Sequence, residues 1–95
     1  ANEVKFNPYE ISHPIYKIYG EGQCELNVNG NVIRANVGQN LIIDTERKLA
    51  YREDGTLRNT NVTGNYEELF LRERENEIMI TDGFELKIVP NWRCL

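Results

Sequence analysis

Residue types that perform acid–base or nucleophilic chemistry are few in this sequence and lie far apart. His13 is the only histidine and stands next to Pro14, with no recognisable Ser/His/Asp or Cys/His nucleophile arrangement around it. Glycoside hydrolysis needs two carboxyl groups about 5–9 Å apart, and acidic residues near predicted turns are available for such a pair. They are Asp44, Glu46, Glu67 and Glu68. Because acidic residues near turns are usually solvated, the sequence predicts that the protein is not an enzyme.

Metal and phosphate sites are also not predicted. Cys24 and Cys94 lack the CxxC spacing of a zinc or redox site, and we interpret them as two free thiols, with a disulfide between them as the alternative. Residues 44–46 lack the glycine and further acids of a calcium loop. Residues 20–22, Gly-Glu-Gly, lead from one predicted strand into another rather than into a helix, so a bulge or bend explains these glycines better than a phosphate loop. We expect no metal and no cofactor.

Length and charge restrict the partners that this chain can bind. With 95 residues the chain is long enough for one hydrophobic core and too short for two. Its 11 basic residues are outnumbered by 15 acidic ones and are scattered, which argues against nucleic acid as a partner. No apolar run approaches the roughly 18 residues of a membrane span. The composition predicts one soluble domain that binds neither nucleic acid nor membrane.

Apolar and polar residues alternate with period two along most of the chain, and no helical period is sustained. Residues 24–28 show the alternation clearly and are followed by Asn29-Gly30, a dipeptide that suits the two positive φ angles of a type I′ turn. Asp82-Gly83 predicts a second short hairpin. The pattern indicates an all-β domain, an antiparallel sandwich or small barrel of about eight short strands.

Less regular segments define the expected boundaries and loops. Residues 1–13 read as a linker or entry segment, and residues 14–95 as the β domain. Polar residues 57–65 predict a loop with at most a short strand, and the charged residues 72–76 predict another loop. Residues 67–71 are expected to form an edge strand or the approach to one.

Three aromatic residues are candidate contact residues for a sugar or a partner protein. Tyr51, Tyr66 and Trp92 lie near predicted strand ends or loops, where flat rings could stack on a sugar face. Amphipathic aromatic side chains also pack at the rim of a small core with their polar ends in water, and Trp92 is interpreted in this way as a cap on one end of the sandwich.

Several short motifs occur in an order that resembles a known family. They are P-I-Y-K-I-Y-G-E-G at residues 14–22, Asn29-Gly30, I-I-D-T-E at residues 42–46, Ala50-Tyr51 with Asp54-Gly55, Asn76-Glu77-Ile78, and I-V-P-N-W-R at residues 88–93. In combination, from about residue 7 to the end, the chain resembles the C-terminal domain of siphophage distal tail (Dit-type) proteins. It departs from that family in residues 72–76, where a Pro-Gly is usual, and at Asn91, where Arg is common.

The resemblance implies a β-sandwich, galectin-like or jelly-roll-like, on the outside of a hexameric ring that an N-terminal domain builds. It implies a virion structural module without enzymatic activity, made in the bacterial cytoplasm and located at the phage tail tip or baseplate. The implied partners are other tail-tip or receptor-binding proteins, and the implied states are a homo-hexamer for the full-length protein and a monomer for this chain alone. The alternative is a carbohydrate-binding module that contacts host cell-wall polysaccharide through Tyr51, Tyr66 or Trp92.

Overall fold

The described part of the chain is built from β-strands and two short 3-10 helices. A computed structural model describes the backbone of residues 2–90 and the side chains of residues 11–73 and 75–90. The elements are β1 (Asn2–Ser12), β2 (Ile15–Val28), β3 (Asn31–Asp44), β4 (Leu49–Tyr51), the 3-10 helix η1 (Asn59–Asn61), β5 (Val62–Thr63), the 3-10 helix η2 (Tyr66–Leu69), β6 (Leu71–Ile80) and β7 (Glu85–Val89). The prediction of an all-β domain is confirmed.

The strands are antiparallel and follow the order β1-β6-β2-β3-β4 across the sheet, while β5 pairs with β3 and β7 with β2. Seven strands occupy residues 2–90, where about eight short ones were expected. The difference arises because β2 and β3 are 14 residues long each and bend without breaking their pairing. Both long strands therefore belong to both halves of a sandwich-like sheet.

The β2–β3 hairpin turns at Asn29-Gly30, as predicted. Asn29 has φ +54° and Gly30 has φ +90°, the two positive values that a type I′ turn requires. Along β2, Cys24, Leu26 and Val28 are buried, as expected from the alternation. The side chains on this face contribute to one continuous core.

The glycines of β2 produce a bend, which confirms the interpretation of residues 20–22. Gly20 has φ +150° and Gly22 has φ +96°, and Gln39, which pairs with Gly20, has φ +70°. Residues with a Cβ atom rarely adopt these backbone angles. Gly20 also lies against the ring of Phe84, because a Cβ atom added to Gly20 would be 2.5 Å from Phe84 Cδ1. The bend therefore needs glycine for its conformation and for its close packing.

Asp82-Gly83 forms a turn, but the predicted hairpin is wrong. β6 pairs with β2 at residues 26–28 and β7 pairs with β2 at residues 15–19, both antiparallel, so β7 continues in the direction of β6 instead of folding back on it. Between them Thr81 stays bonded to β2: the amide of Glu25 donates to Thr81 Oγ1 at 2.8 Å. The turn therefore interrupts what is otherwise one strand, formed by β6 and then β7, that runs antiparallel along β2.

Two expected irregular segments are strands in the structure. The expected linker contains β1, whose Asn2 pairs with Met79 and whose Ser12 pairs with Leu71. The expected charged loop at residues 72–76 lies within β6. The side chains of Arg72, Glu73 and Glu75 are exposed while the backbone pairs with β1, so a polar sequence here marks an outward face rather than a loop. Residues 57–65 agree with their prediction, since they hold only η1 and the two-residue β5.

The core combines apolar side chains from the long strands, β4, η2 and β6. Its members are Tyr16, Ile18, Cys24, Leu26, Val28, Ile33, Ala35, Val37, Leu41, Ile43, Ala50, Leu69, Leu71, Ile78 and Ile80. Cys24 is a free thiol, and burial raises its pKa, so it is a packing residue rather than a nucleophile. Cys94 lies outside the described residues.

One buried polar side chain joins the β2–β3 turn to β6. Asn76 is fully buried; its Oδ1 accepts from the amide of Arg72 at 2.8 Å and from Asn29 Nδ2 at 2.9 Å. Its Nδ2 donates to the carbonyl of Arg72 at 2.9 Å. Asn29 completes the link, because its Oδ1 accepts from the amide of Glu77 at 2.9 Å.

Candidate functional site

Two grooves lie side by side on the surface where the β3–β4 turn meets η2. The larger, about 530 Å³ in volume, is called the His13 groove; it is lined by Ile11, His13, Thr45, Glu46, Lys48, Glu67 and Phe70. The smaller, about 470 Å³, is called the Asn59 groove; it is lined by Lys48, Asn59, Val62, Gly64, Asn65 and Tyr66. Lys48 lines both grooves and forms an ion pair with Glu67.

The turn that carries Lys48 is fixed by side-chain bonds to the backbone. Asp44 Oδ1 accepts from the amides of Glu46 and Arg47, each at 3.0 Å, and an Asp side chain that bonds to the following backbone in this way fixes a turn. Thr45 Oγ1 donates to the carbonyl of Pro14 at 2.8 Å. Because Pro14 follows His13 directly, this bond holds the turn beside the histidine.

The other side of both grooves is positioned by η2. Its first turn is capped by Asn65, whose Oδ1 accepts from the amide of Glu67 at 3.0 Å. Its end is tied to the core by the buried Tyr16, whose hydroxyl donates to the carbonyl of Leu69 at 2.7 Å, and burial raises the pKa of that phenol. Glu67 and Phe70 are therefore presented from a rigidly anchored segment.

The His13 groove is lined by both apolar and charged side chains. The rings of His13 and Phe70 lie with their centroids 6.4 Å apart and their planes tilted by 55°. Ile11, which is 48% exposed, lines the same groove. Lys48 and Glu67 also line the groove, and the hydrogen bond and charge of Lys48 hold the pKa of Glu67 below its ordinary value, with a smaller contribution from His13.

The Asn59 groove is more open, and its amide groups are already engaged in holding the fold. Asn59 Oδ1 accepts from the amide of Ala50 at 2.6 Å, and Asn65 caps η2. Tyr66 is half-buried and packs against the core, and burial raises the pKa of its hydroxyl. The side chains of Asn59, Asn65 and Tyr66 in this groove therefore serve mainly to hold the fold together.

The structure separates the contact residues that the sequence suggested. Tyr66 lines the Asn59 groove, whereas Tyr51 is half-buried in β4 and lines neither groove. Trp92 lies outside the described residues. Of the carboxylates considered for catalysis, Glu46 and Glu67 line the same groove, while Asp44 is committed to its turn.

In the His13 groove, the residues that the sequence did not single out include Ile11, Lys48 and Phe70, and His13 was singled out only as a candidate catalytic group. They come from three segments that long-range pairing brings together, so no local spacing in the sequence marks them. Lys48 also has a positive φ, +58°, which a lysine in the sequence does not predict.

Replacing Lys48 with asparagine should raise the pKa of Glu67 towards its ordinary value of 4.5. Asparagine tolerates the positive φ at this position, so the change removes the ammonium group without disturbing the turn. Because the pKa of Glu67 is depressed in the folded state, the ion pair persists above that ordinary value and is lost as the pH falls through the lower, folded-state pKa. Carbon-detected NMR titration of the Glu67 carboxyl measures the change.

The matched control is Lys87→Asn, which removes the same charge from β7, where Lys87 lies 5.8 Å from the ring centroid of Tyr19. The pKa of Glu67 should stay depressed in this variant. An unchanged Glu67 pKa in the Lys48→Asn protein would contradict the assigned ion pair.

Comparison with known proteins does not identify a family. No protein-family model matches the chain, and no curated protein or solved structure is significantly similar to it. Among residues 2–90, no helix is long and apolar enough to cross a membrane. Within the same described part, no group of three or more His, Cys, Asp or Glu side chains could hold a metal ion.

Proposed function

We propose that this chain is a virion structural module, the peripheral C-terminal domain of a distal tail protein, which contacts other proteins at the phage tail tip. The observation that carries the proposal is that the motifs behind the family resemblance set turns and bends in the fold. Four of these motifs supply residue types that suit their places in the fold.

Four of those motifs have a specific physical role in the described residues. The glycines at 20 and 22 have positive φ angles at the bend of β2, and Asn29-Gly30 supplies the two positive φ angles of the hairpin turn. Asp44 accepts two backbone amides, and Asn76 connects Arg72 with Asn29. Motifs that set turns and bends throughout one fold favour a shared architecture over a chance local match.

The last strand of the sheet, together with the segment at residues 56–58 that is hydrogen-bonded along its outer edge, offers a surface for a protein partner. β4 is the last strand in the sheet order, and its Tyr51 forms a bridge with Leu57. Leu57 is 61% exposed. Tyrosine beside an exposed aliphatic side chain is typical of protein interfaces, in which aromatic residues are enriched, so Tyr51 remains the favoured contact residue for a partner protein.

The proposal predicts where the protein lies in a phage particle. An epitope tag inserted between Asp54 and Gly55, which form an exposed turn, should leave the core intact. Immunogold electron microscopy of particles released by the strain that encodes the tagged protein should then place gold at the distal end of the tail. Gold on the head or along the tail tube, or purified particles without the protein by immunoblot, would overturn the proposal.

A further inference from the structure

We propose that the outer edge of β7 binds an extended, acidic segment of a partner protein, which adds to the sheet as a further strand. This surface lies at the opposite edge of the sheet from Tyr51 and Leu57. Its partner is defined by backbone pairing and by charge, so the inference goes beyond a location at the tail tip and does not depend on it.

β7 is an edge strand of the sheet. Lys17 of β2 pairs with Lys87 of β7 on one side and with Ile42 of β3 on the other. Ile42 also pairs with Tyr51 of β4, so the strands here run in the order β7-β2-β3-β4. Residues 56–58 cover the outer side of β4, whereas no strand in the described part of the chain pairs with the outer side of β7. Alternate residues of an antiparallel edge strand turn their N–H and C=O groups outward, where an added strand can bond to them.

The apolar side chains that β7 turns towards the core are only partly covered. Leu86 and Ile88 pack against the core and are half-buried. Their partners on β2, Ile18 and Tyr16, are fully buried. The core is therefore open beside β7, and a strand added there would remove apolar surface from water as well as bond to the backbone.

The charge in the middle of β7 selects an acidic partner. Lys87 lies directly opposite Lys17, and like charges in this position destabilise a sheet. None of the ion pairs between described side chains includes either lysine. A carboxylate on the same face of an added strand would lie beside Lys87, where opposite charges across two strands attract. A basic strand would add a further like charge to the row.

The same lysine argues against a second copy of this chain as the added strand. Lys87 is the central residue of β7, so two β7 strands paired antiparallel in full register would place one Lys87 opposite the other. With Lys17 of each copy, the row would hold two lysines from each chain and no acid. Lysines on edge strands commonly prevent such self-pairing, and an acidic partner avoids this repulsion.

Titration of the isotope-labelled chain with short synthetic peptides tests the inference. The probe is a capped peptide of alternating Glu and Val. Its counterparts are a Lys-Val peptide of the same length and a Glu-Val peptide with Pro in place of its central Val, which lacks one backbone donor. The Glu-Val probe should give saturable NMR shifts that are largest at residues 85–89, should slow hydrogen exchange of β7 amides, and should bind more tightly than either counterpart. No saturable shift, shifts centred away from β7, or equal binding of a counterpart would overturn the inference.

Variants of β7 locate the contact. Lys87→Gln should weaken binding of the Glu-Val probe by about two- to fivefold, the effect of losing one exposed ion pair, and Lys87→Glu should reverse the preference in favour of the Lys-Val peptide. The matched control is Lys48→Gln, which removes the same charge from the β3–β4 turn and should leave binding unchanged. Equal losses in Lys87→Gln and Lys48→Gln would show an effect of overall charge alone and would overturn the inference.

Sedimentation analysis of the chain without peptide separates a partner protein from a second copy. The chain should remain a monomer, and a dimer with protected β7 amides would assign this edge to self-association and overturn the inference. Gold labelling at the tail tip does not depend on any of these results, so the two proposals fail separately.

Discussion

Asn76→Ala should lower the free energy of unfolding by roughly 3–5 kcal/mol, because it removes a fully buried amide and leaves its partners inside the protein. The amide and the carbonyl of Arg72 both lose a bond, and so does Asn29 Nδ2. An orphaned buried polar group costs about 1–3 kcal/mol. Urea unfolding measures this loss directly. A matching fall in Tm of at least about 12 °C is expected for a domain of this size.

Glu75→Ala is the control for this prediction, since Glu75 is exposed on the same strand and pairs across the sheet with Phe6. It should change the free energy of unfolding by less than about 0.5 kcal/mol. If Asn76→Ala destabilised the protein no more than this control, the buried network would have no net stabilising effect.

Gly20→Ala is expected to have a similarly large effect, roughly 3–5 kcal/mol, from two causes that act together. At φ +150° a Cβ atom brings backbone strain, which costs about 1–3 kcal/mol. The same Cβ atom would lie 2.5 Å from Phe84 Cδ1 and would force that partly buried ring off the core. Thermal unfolding followed by circular dichroism measures the sum.

Gly22→Ala separates the two causes. Gly22 also has a positive φ, +96°, but nothing lies within 4 Å of an added Cβ atom, so only the backbone strain of about 1–3 kcal/mol should appear. In a Phe84→Ala background the excess cost of the Gly20 change over the Gly22 change should disappear. An excess that persisted without the ring would contradict the packing explanation.

The parts of the fold that local sequence determines could be predicted, and the parts that distant pairing determines could not. The turn at Asn29-Gly30 could be predicted because few other residues accept two positive φ angles. β1 was read as a linker because its partner, β6, lies at the other end of the chain. Asp82-Gly83 was read as a hairpin because the choice of β2 as the partner of both flanking strands is a tertiary effect.

The candidate site was predicted only in fragments for the same reason. Glu46 and Glu67 could be named as carboxylates, but their place in one groove depends on the bond from Thr45 to Pro14 and on the anchoring of Leu69 by Tyr16. Phe70 carries no local signal that distinguishes a groove wall from a core residue. Tyr51 and Tyr66 were both candidates by residue type, and of the two only Tyr66 lines one of the two grooves described above.

The pairing of β1 with β6, two strands that lie far apart in the sequence, has a consequence for the order in which the domain can fold. The β2–β3 hairpin joins neighbours in sequence and needs only a small loop, so it can form early. β1 cannot pair until β6 has been synthesised, because β6 is its partner in the sheet and Asn2 lies opposite Met79. During synthesis, the first strand of this sequence therefore waits unpaired while most of the rest emerges from the ribosome. Pairing of β1 with β6 is then a late step of folding, and we expect it to be slower than formation of the β2–β3 hairpin.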